Sequence, residues 1–555
     1  MKLTQVDAIL DNRMPALTGC IGQYLRDRKT LISPQDEALF RSYGVYTQRP
    51  AEAGFFMLRI PVPGGELDSN QLMTISKLAD HYSRGFADIT VRQSIQLHWV
   101  RLADLPRLIE RLNEAGLFIG QTRGDSIRNI VDCPVSGVDE DELIDTSQMV
   151  RRVNAFFANS LEFSDLPRKF KIAITGCARH CVFPEINDIG IFAVPDYERG
   201  GAVFRARVGG GLSVSPRFGR DLGILADQNE VVDLCAAIAL VLKEDSSTDG
   251  GHAATPHFVI HETDINQFVE KVELQMGRKL RRETASGFSA INEPDRSHVG
   301  IHGQRTSGLY YIGISTLAGR ISAAQLGQLA AIASEYGSGR VRTANTQDVV
   351  LLDIPEWNLE SVCRELQLTG LDYQPSATRR SVIACSGIEF CKLAVAETKA
   401  RAAKLCEYLE NEVDLDEPVR ISITGCPNSC GQHHISDIGL EGSTVTIDGV
   451  KRESFQVILG GGVGKIETFG RRIGVRIRSE DLSESIGHLL SAFKELRFQG
   501  ESFQEFCIRH SDDELIALLN PHTWTLKTGA NRAAPVESAD RTVISSLNSD
   551  LFNSV

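Results

Sequence analysis

The chain has 555 residues, 42% of them apolar and 24% charged, with a net charge of −13. That is enough ordinary globular sequence for three or four domains. The negative balance argues against nonspecific binding of nucleic acid or a membrane surface, and no run of about 18 apolar residues offers a membrane span.

The first patterned stretch, Phe55-Phe56-Met57-Leu58-Arg59-Ile60, is a predicted strand, followed by a turn at Gly64-Gly65. Asp68 to Tyr82 is a predicted helix with Leu72, Ile75, Leu78 and Ala79 on one face. Ile89 to Leu97 reads as one strand and Leu105 to Ala115 as a second helix. Strand–helix–strand–helix of this length makes a small α+β sandwich. Lys169 and Lys171 alternate on a predicted strand, which puts both side chains on one side. Ile388 to Leu409 is a predicted helix starting near Cys391. The tail from Lys527 to Val555 is polar, rich in Ser and Asn, and expected to be loosely held. The amino terminus, Met1-Lys2-Leu3-Thr4-Gln5-Val6-Asp7, carries an early acid and no apolar core, so no signal peptide is expected.

The chain is also a doubled unit. Ile172-Ala173-Ile174-Thr175-Gly176-Cys177-Ala178-Arg179-His180-Cys181 matches Ile421-Ser422-Ile423-Thr424-Gly425-Cys426-Pro427-Asn428-Ser429-Cys430 at an offset of 249. Asp188-Ile189-Gly190 and Asp437-Ile438-Gly439 keep that offset. Gly209-Gly210-Gly211 matches Gly460-Gly461-Gly462 at 251. Arg128 and Cys133 match Arg380 and Cys385 at 252, and Gly65 with Gln71-Leu72 matches Gly319 with Gln325-Leu326 at 254. The halves differ in chemistry. Lys169 and Lys171 align with Pro418 and Arg420, and Arg59 with Gly313, so the first half keeps extra cations while the second keeps a complete cysteine set.

That set is Cys385 and Cys391, six residues apart, with Cys426 and Cys430, four apart. Four thiolates satisfy an iron–sulfur cluster. They also satisfy structural zinc, although zinc favours tight spacing in both pairs. Twelve cysteines in this length are too sparse for a secreted disulfide framework, and a reducing cytoplasm is the expected compartment. Gly387, Gly425 and Gly431 let backbone approach an inorganic centre, and Pro427 stiffens the turn.

The string Thr424-Gly425-Cys426-Pro427-Asn428-Ser429-Cys430-Gly431, with the spacing of Cys385 and Cys391, resembles the sulfite and nitrite reductases that couple a [4Fe–4S] cluster to siroheme. The resemblance runs from about Gly44 to about Cys507. It implies an α+β fold, internally duplicated and pseudo-twofold. Each half would pair a ferredoxin-like α/β sandwich module with a larger α+β siroheme/Fe–S module. The expected boundaries are 44–118 and 119–285 in the first half, the latter on the side of the substrate anion, then 300–370 and 371–510 in the second, with 527–555 as a flexible tail.

The resemblance also implies roles. Cys385, Cys391, Cys426 and Cys430 would hold the cluster, with Cys430 bridging to the siroheme iron. Arg59, Arg128, Lys169 and Lys171 would ring the substrate. Arg supplies permanently charged forked donors and Lys supplies mobile, titratable ones. Thr90, Arg92, Gln93 and Asn129, with Gln347 from the other half, would hold siroheme. Cys133, Cys177 and Cys181 match three of the four cluster ligands. The equivalent of Cys391 falls near Asp141, and the three read as remnants of duplication. Cys20, Cys235, Cys363, Cys406 and Cys507 read as small buried apolar residues, and His433 and His434 as structural neighbours of the cluster string.

The implied activity is six-electron reduction of a small oxyanion. Sulfite to sulfide is favoured by Lys171, where many nitrite-reducing relatives carry Asn; nitrite to ammonium is the alternative. No Gly-x-Gly-x-x-Gly lies in a strand–helix setting, so electrons must come from ferredoxin or a separate flavoprotein. A plain iron–sulfur carrier, a zinc scaffold built on the four cysteines and a corrinoid-precursor oxidising relative are the rival readings.

Overall fold

In the computed structural model, which describes residues 14–29, 31–119, 127–163, 166, 169–247, 260, 263–282, 297–464, 466–519 and 524–525, Phe55–Ile60 is a strand. Phe56, Leu58 and Ile60 alternate into the core, while Phe55, Met57 and Arg59 stay partly exposed. The helix Ser69–Tyr82 starts at a capping box, with Asp68 accepting from Gln71 N–H and the Gln71 side chain returning to the Asp68 backbone. Its apolar face, Leu72, Ile75, Leu78 and Ala79, is buried as the spacing requires.

The single strand expected over Ile89–Leu97 is instead a pair, Phe86–Ile89 and Ile95–Arg101, joined by a turn. Thr90 Oγ1 accepts the N–H groups of Arg92 and Ser94 at 3.3 and 3.1 Å, and Gln93 takes a φ of 58°. A hydroxyl that gathers nearby backbone N–H groups makes a turn without Gly or Pro. That is why the alternation concealed it.

The ferredoxin-like modules share their sheets. The first has the strand order Val45–Thr47, Phe55–Ile60, Ile95–Arg101, Phe86–Ile89, and is completed by Arg320–Ser322 from the second half. The second, Gly300–Gly303, Leu309–Ile314, Val349–Pro355, Arg340–Thr343, is completed by Glu66–Asp68 from the first. The helices Ser69–Tyr82 and Ala323–Tyr336 pack on each other, and Ser76 Oγ donates to Ala323 O at 2.7 Å. Close backbone approach sets the glycines at this exchange. A Cβ on Gly65 (φ 71°) would stand 2.1 Å from Thr343 O, and one on Gly319 (φ 77°) 2.4 Å from Ile89 O.

The larger module of the first half is a four-stranded sheet, Ile172–Thr175, Ile189–Pro195, Ala202–Val208 and Arg220–Asp221, whose first two strands are parallel. It packs its apolar side on the helices Ser147–Asn159, Val231–Ser247 and Ile265–Met276. The strand begins at Ile172, not at Lys169: Lys169 sits in a turn with φ 60°, so the expected alternation of the two lysines does not apply. The second half places Val382–Ala384, Ile421–Thr424, Ile438–Ile447, Val450–Leu459, Arg471–Arg478 and Trp524–Thr525 in a six-stranded sheet.

The helix expected over Ile388–Leu409 is broken into Gly387–Phe390 and Lys399–Glu412. The intervening chain is drawn aside by other partners: Val395 N–H bonds Gly425 O at 2.8 Å and Thr398 Oγ1 bonds Cys385 O at 2.6 Å. The described residues form two units. One takes in the chain to Pro375 with Glu389–Lys392 and Val463–Glu467; the other takes Ser376–Ile388, Leu393–Gly462 and the chain from Thr468. Among the described residues no helix is long and apolar enough to cross a membrane. The tail expected over 527–555 lies outside the described residues.

Candidate active site

Two constellations carry the chemistry, one in each unit. The first is basic. Tyr46 joins two of its cations: Arg128 donates to the Tyr46 hydroxyl at 2.7 Å, and the Arg59 guanidinium lies 5.0 Å from the centre of the Tyr46 ring. Arg128 N–H bonds Phe170 O at 2.7 Å. This pins Arg128 beside the segment whose flanking residues are Lys169 and Lys171.

Asp188 anchors the other end. Its carboxylate accepts the Lys171 backbone N–H at 2.8 Å and lies 3.8 Å from Lys171 Nζ. Burial pushes the Asp188 carboxyl above its usual range, while the charges of Lys171 and Arg92 and the Lys171 N–H hold it down. Arg92 donates to Asn187 Oδ1 at 2.8 Å and to the carbonyls of Asn129 and Ile172 at 2.7 and 3.0 Å. Its guanidinium is depressed first by leaving water; Asp188 opposes this, and Arg128 and Arg59 add to it. Three guanidiniums are thus held near enough to repel one another. Like charge gathered in this way suits an anionic partner.

The expected siroheme contacts divide. Gln93 spends both amide hydrogens on Asp132 O and Thr343 O, and Asn129 spends both on Val62 O and Arg92 O. Both side chains therefore brace the backbone of this region, and the Asn129 Oδ1 atom is buried without a hydrogen-bond partner among the described residues. Gln347 bonds Ile89 O at 2.9 Å, the pseudo-symmetric counterpart of Gln93 on Thr343 O. Thr90 organises its turn. Arg92 carries a charge suited to a cofactor carboxylate. Asp188, Asn187 and Tyr46 were missed. The repeat Asp188-Ile189-Gly190 marked the first, but a buried carboxylate shared by two cations is visible only in three dimensions.

The second constellation holds Cys385, Cys426 and Cys430. Gly425 N–H points at Cys385 Sγ (3.3 Å) and Asn428 Nδ2 at Cys426 Sγ (3.5 Å). Donors aimed at sulfur suit thiolates. Burial, then the neighbouring Cys430 and Cys426, pushes the Cys385 thiol up to about 12. Such a thiol stays protonated until a metal displaces the proton. The donor set therefore fits a thiolate-bound cluster, and the crowded guanidiniums fit a carboxylate-bearing cofactor. Cys430 is exposed, whereas Cys426 is buried and Cys385 half-buried. Cys391, half-buried, follows the short helix Gly387–Phe390 and belongs to the segment Glu389–Lys392 of the first unit.

His433 is tied to Thr424 Oγ1 at 2.5 Å and to Glu441 at 3.2 Å, a structural placement. Of the five outlying cysteines, Cys235, Cys406 and Cys507 are buried, and Cys20 and Cys363 only partly so.

Comparison with known proteins gives a consistent result. Residues 123–280 and 376–519 match the nitrite and sulphite reductase 4Fe-4S domain. Residues 48–115 and 302–368 match the nitrite/sulfite reductase ferredoxin-like half domain. The chain is 38% identical to a ferredoxin–nitrite reductase of Leptolyngbya laminosa, over 80% of this chain and 87% of the relative. It is 34% identical to a sulfite reductase [ferredoxin] of Mycolicibacterium paratuberculosis, over 86% and 89%. Among solved structures, that of the Mycobacterium tuberculosis NirA protein superposes with a TM-score of 0.82 at 33% identity, covering 87% of this chain and 92% of that one.

Proposed function

Because the chain belongs to the nitrite and sulphite reductase family, we propose that it reduces sulfite to sulfide, drawing six electrons from ferredoxin. The family's siroheme and [4Fe–4S] cluster supply the electron path when bound. The thiolates of Cys385, Cys391, Cys426 and Cys430 hold the cluster. Cys430, whose thiol is exposed, would also serve siroheme when that group is bound. Arg92 takes a siroheme carboxylate. Arg59 and Arg128 hold the anion, because guanidinium stays charged throughout. Lys169 and Lys171 hold the protons that leave with oxygen as water. Buried Asp188 keeps Lys171 in place and balances part of its charge.

The observation that carries sulfite over nitrite is Lys171 itself, a titratable cation where many nitrite-reducing relatives have Asn. Sulfite sheds more oxygens as water than nitrite does, so more of its steps call for a positioned proton donor. Nitrite is the second reading, favoured by the 38% identity to a ferredoxin–nitrite reductase. The donor is read as ferredoxin because both relatives are named for it; a separate flavoprotein is the alternative donor. The free thiols suit a reducing cytoplasm.

Steady-state kcat/KM for both anions with one artificial reductant tests the choice. A larger value for sulfite supports it, and a larger value for nitrite overturns it. Purified ferredoxin as sole donor tests the partner.

A further inference from the structure

Cys133, Cys177 and Cys181 read from the sequence as remnants. The fold nevertheless brings them together: their sulfurs lie within 4.8 Å of one another, and all three are buried. A fourth donor, absent from any cysteine count, comes from 165 residues further along than Cys133. His298 Nε2 lies 3.6 Å from Cys133 Sγ, and His298 is itself buried. We propose that Cys133, Cys177, Cys181 and His298 bind one zinc ion in a closed structural site.

The dimensions suit a single ion. Zinc bonds sulfur at about 2.3 Å and imidazole nitrogen at about 2.0–2.1 Å in a tetrahedron, which sets neighbouring donor atoms roughly 3.5–3.8 Å apart. The Cys133–His298 separation already has that value. The three sulfurs stand within 4.8 Å of one another, and His298 is that close to Cys133 but not to both other sulfurs, so its side chain would have to turn inward as the ion binds. A four-iron cluster needs its thiolates spread around a larger body, so the first half has not kept a cluster site.

The surroundings support ligation as well. Arg179 N–H points at Cys177 Sγ (3.4 Å), a donor to a thiolate of the kind that supports cluster cysteines in the second half. His180 takes a φ of 50° within the Cys177–Cys181 loop, and His298 takes a φ of 55°. Both are left-handed conformations that cost energy outside glycine. One curls the loop that carries two of the thiols; the other belongs to the imidazole beside the third.

The neighbours Val131, Val135, Val182, Val350 and Leu352 are apolar and exclude water. Soft thiolates with one imidazole select zinc over magnesium or calcium. With four protein donors no position remains for substrate, so the role is structural. The site would tie the loop after the strand Ile172–Thr175 to His298, ahead of Val299 and the strand Gly300–Gly303, joining two modules of the same unit.

The test uses the full chain with its iron centres, produced in zinc-supplemented medium and purified without a histidine tag or chelator. Elemental analysis should give about one zinc per chain beside about five iron. His298→Ala and Cys177→Ser should each lower zinc tenfold or more and leave iron unchanged. Zinc-edge X-ray absorption on the unmutated protein needs no variant. It should show three sulfurs at about 2.3 Å and one nitrogen at about 2.0–2.1 Å. Zinc below about 0.1 per chain, zinc bound by oxygen and nitrogen alone, or zinc equal in the protein and both variants would overturn the assignment. So would extra iron lost with Cys177→Ser.

Discussion

Replacing Lys171 by Asn tests the proposed reaction where it is most exposed to refutation. Lys171 Nζ is 3.8 Å from Asp188 Oδ2, with the lysine side chain 32% exposed and the aspartate 6%. At an effective dielectric near 20 the pair attracts by about 4 kcal/mol. Lysine's contact with water reduces that to roughly 1–3 kcal/mol. Asn removes the attraction, so Asp188 binds its proton at a higher pH than in the unmutated chain. Activity that needs the Asp188 carboxylate should then fall earlier on acidification, moving the acid limb of the pH–rate profile to higher pH. Asn also cannot give up a proton. The sulfite rate should fall on the order of 10²-fold or more, the usual loss when a positioned acid is removed. Nitrite should lose less, so the ratio of rates should move toward nitrite. The assay is kcat and KM for both anions from about pH 5.5 to 9, with electrochemically reduced methyl viologen, which adds no sulfite, and siroheme occupancy checked by absorbance. An unchanged ratio in fully loaded Lys171→Asn enzyme would refute the reasoning and leave the two anions as equals.

Three further expectations follow. Cys426→Ser should abolish the cluster, and Cys430→Ser should lose both centres or uncouple them; normal iron and a normal spectrum in Cys430→Ser would show that another thiol is shared. Gly65→Ala should lower stability by about 3 kcal/mol or more, from left-handed strain of about 1–2 kcal/mol plus the separation forced at Thr343 O. Gly85→Ala, with φ 80° and open space around a Cβ, should cost the strain alone, and equal melting temperatures for the two variants would contradict the close approach. Glu441 supplies a pH signature. Burial raises its carboxyl, but His433 and Arg472 bring it down to about 2, below its ordinary 4.5. A depressed carboxyl stabilises the fold above its unfolded value and loses that contribution as pH falls, here between about 5 and 2, worth roughly 2–3 kcal/mol once solvent screening of the pair is allowed for. The melting-temperature gap between the unmutated chain and Glu441→Gln should therefore close over that range, and a gap constant down to about pH 3 would count against the ion pair.

The duplication and the cysteine strings were legible because each leaves a signal along the chain: a nearly constant offset, and ligands at short fixed spacing. Helices with a strong apolar face, such as Ser69–Tyr82, were legible for the same reason. What escaped depends on partners distant in sequence. The turn at 90–94 is made by a threonine hydroxyl, and the break after Phe390 by bonds from Val395 to Gly425 and from Thr398 to Cys385. The exchange of Glu66–Asp68 for Arg320–Ser322 left only Gly65 and Gly319 as a trace. Gln93 and Asn129 are expected near siroheme from the resemblance alone, and the sequence does not show where their amides bond. Their amides turn out to be spent on carbonyls that no local pattern announces.

The two halves show how duplication separated scaffold from chemistry. Asp188 accepts the N–H of Lys171 at 2.8 Å, and Asp437 accepts the N–H of Arg420 at the same distance. Asp188 is buried and Asp437 half-buried, and desolvation raises both carboxyls, that of Asp437 to about 6. The backbone device that starts the strand is thus unchanged between halves. The cation on it is not. In the first half it is a lysine whose ammonium faces the carboxylate, a group able to release a proton. In the second it is an arginine whose guanidinium donates to Gln432 Oε1 at 2.6 Å, a group that holds its proton throughout. The asymmetry of function therefore lives in side chains carried on a common frame. Exchanging Lys for Arg at such a position conserves charge and fold while removing the capacity for proton transfer.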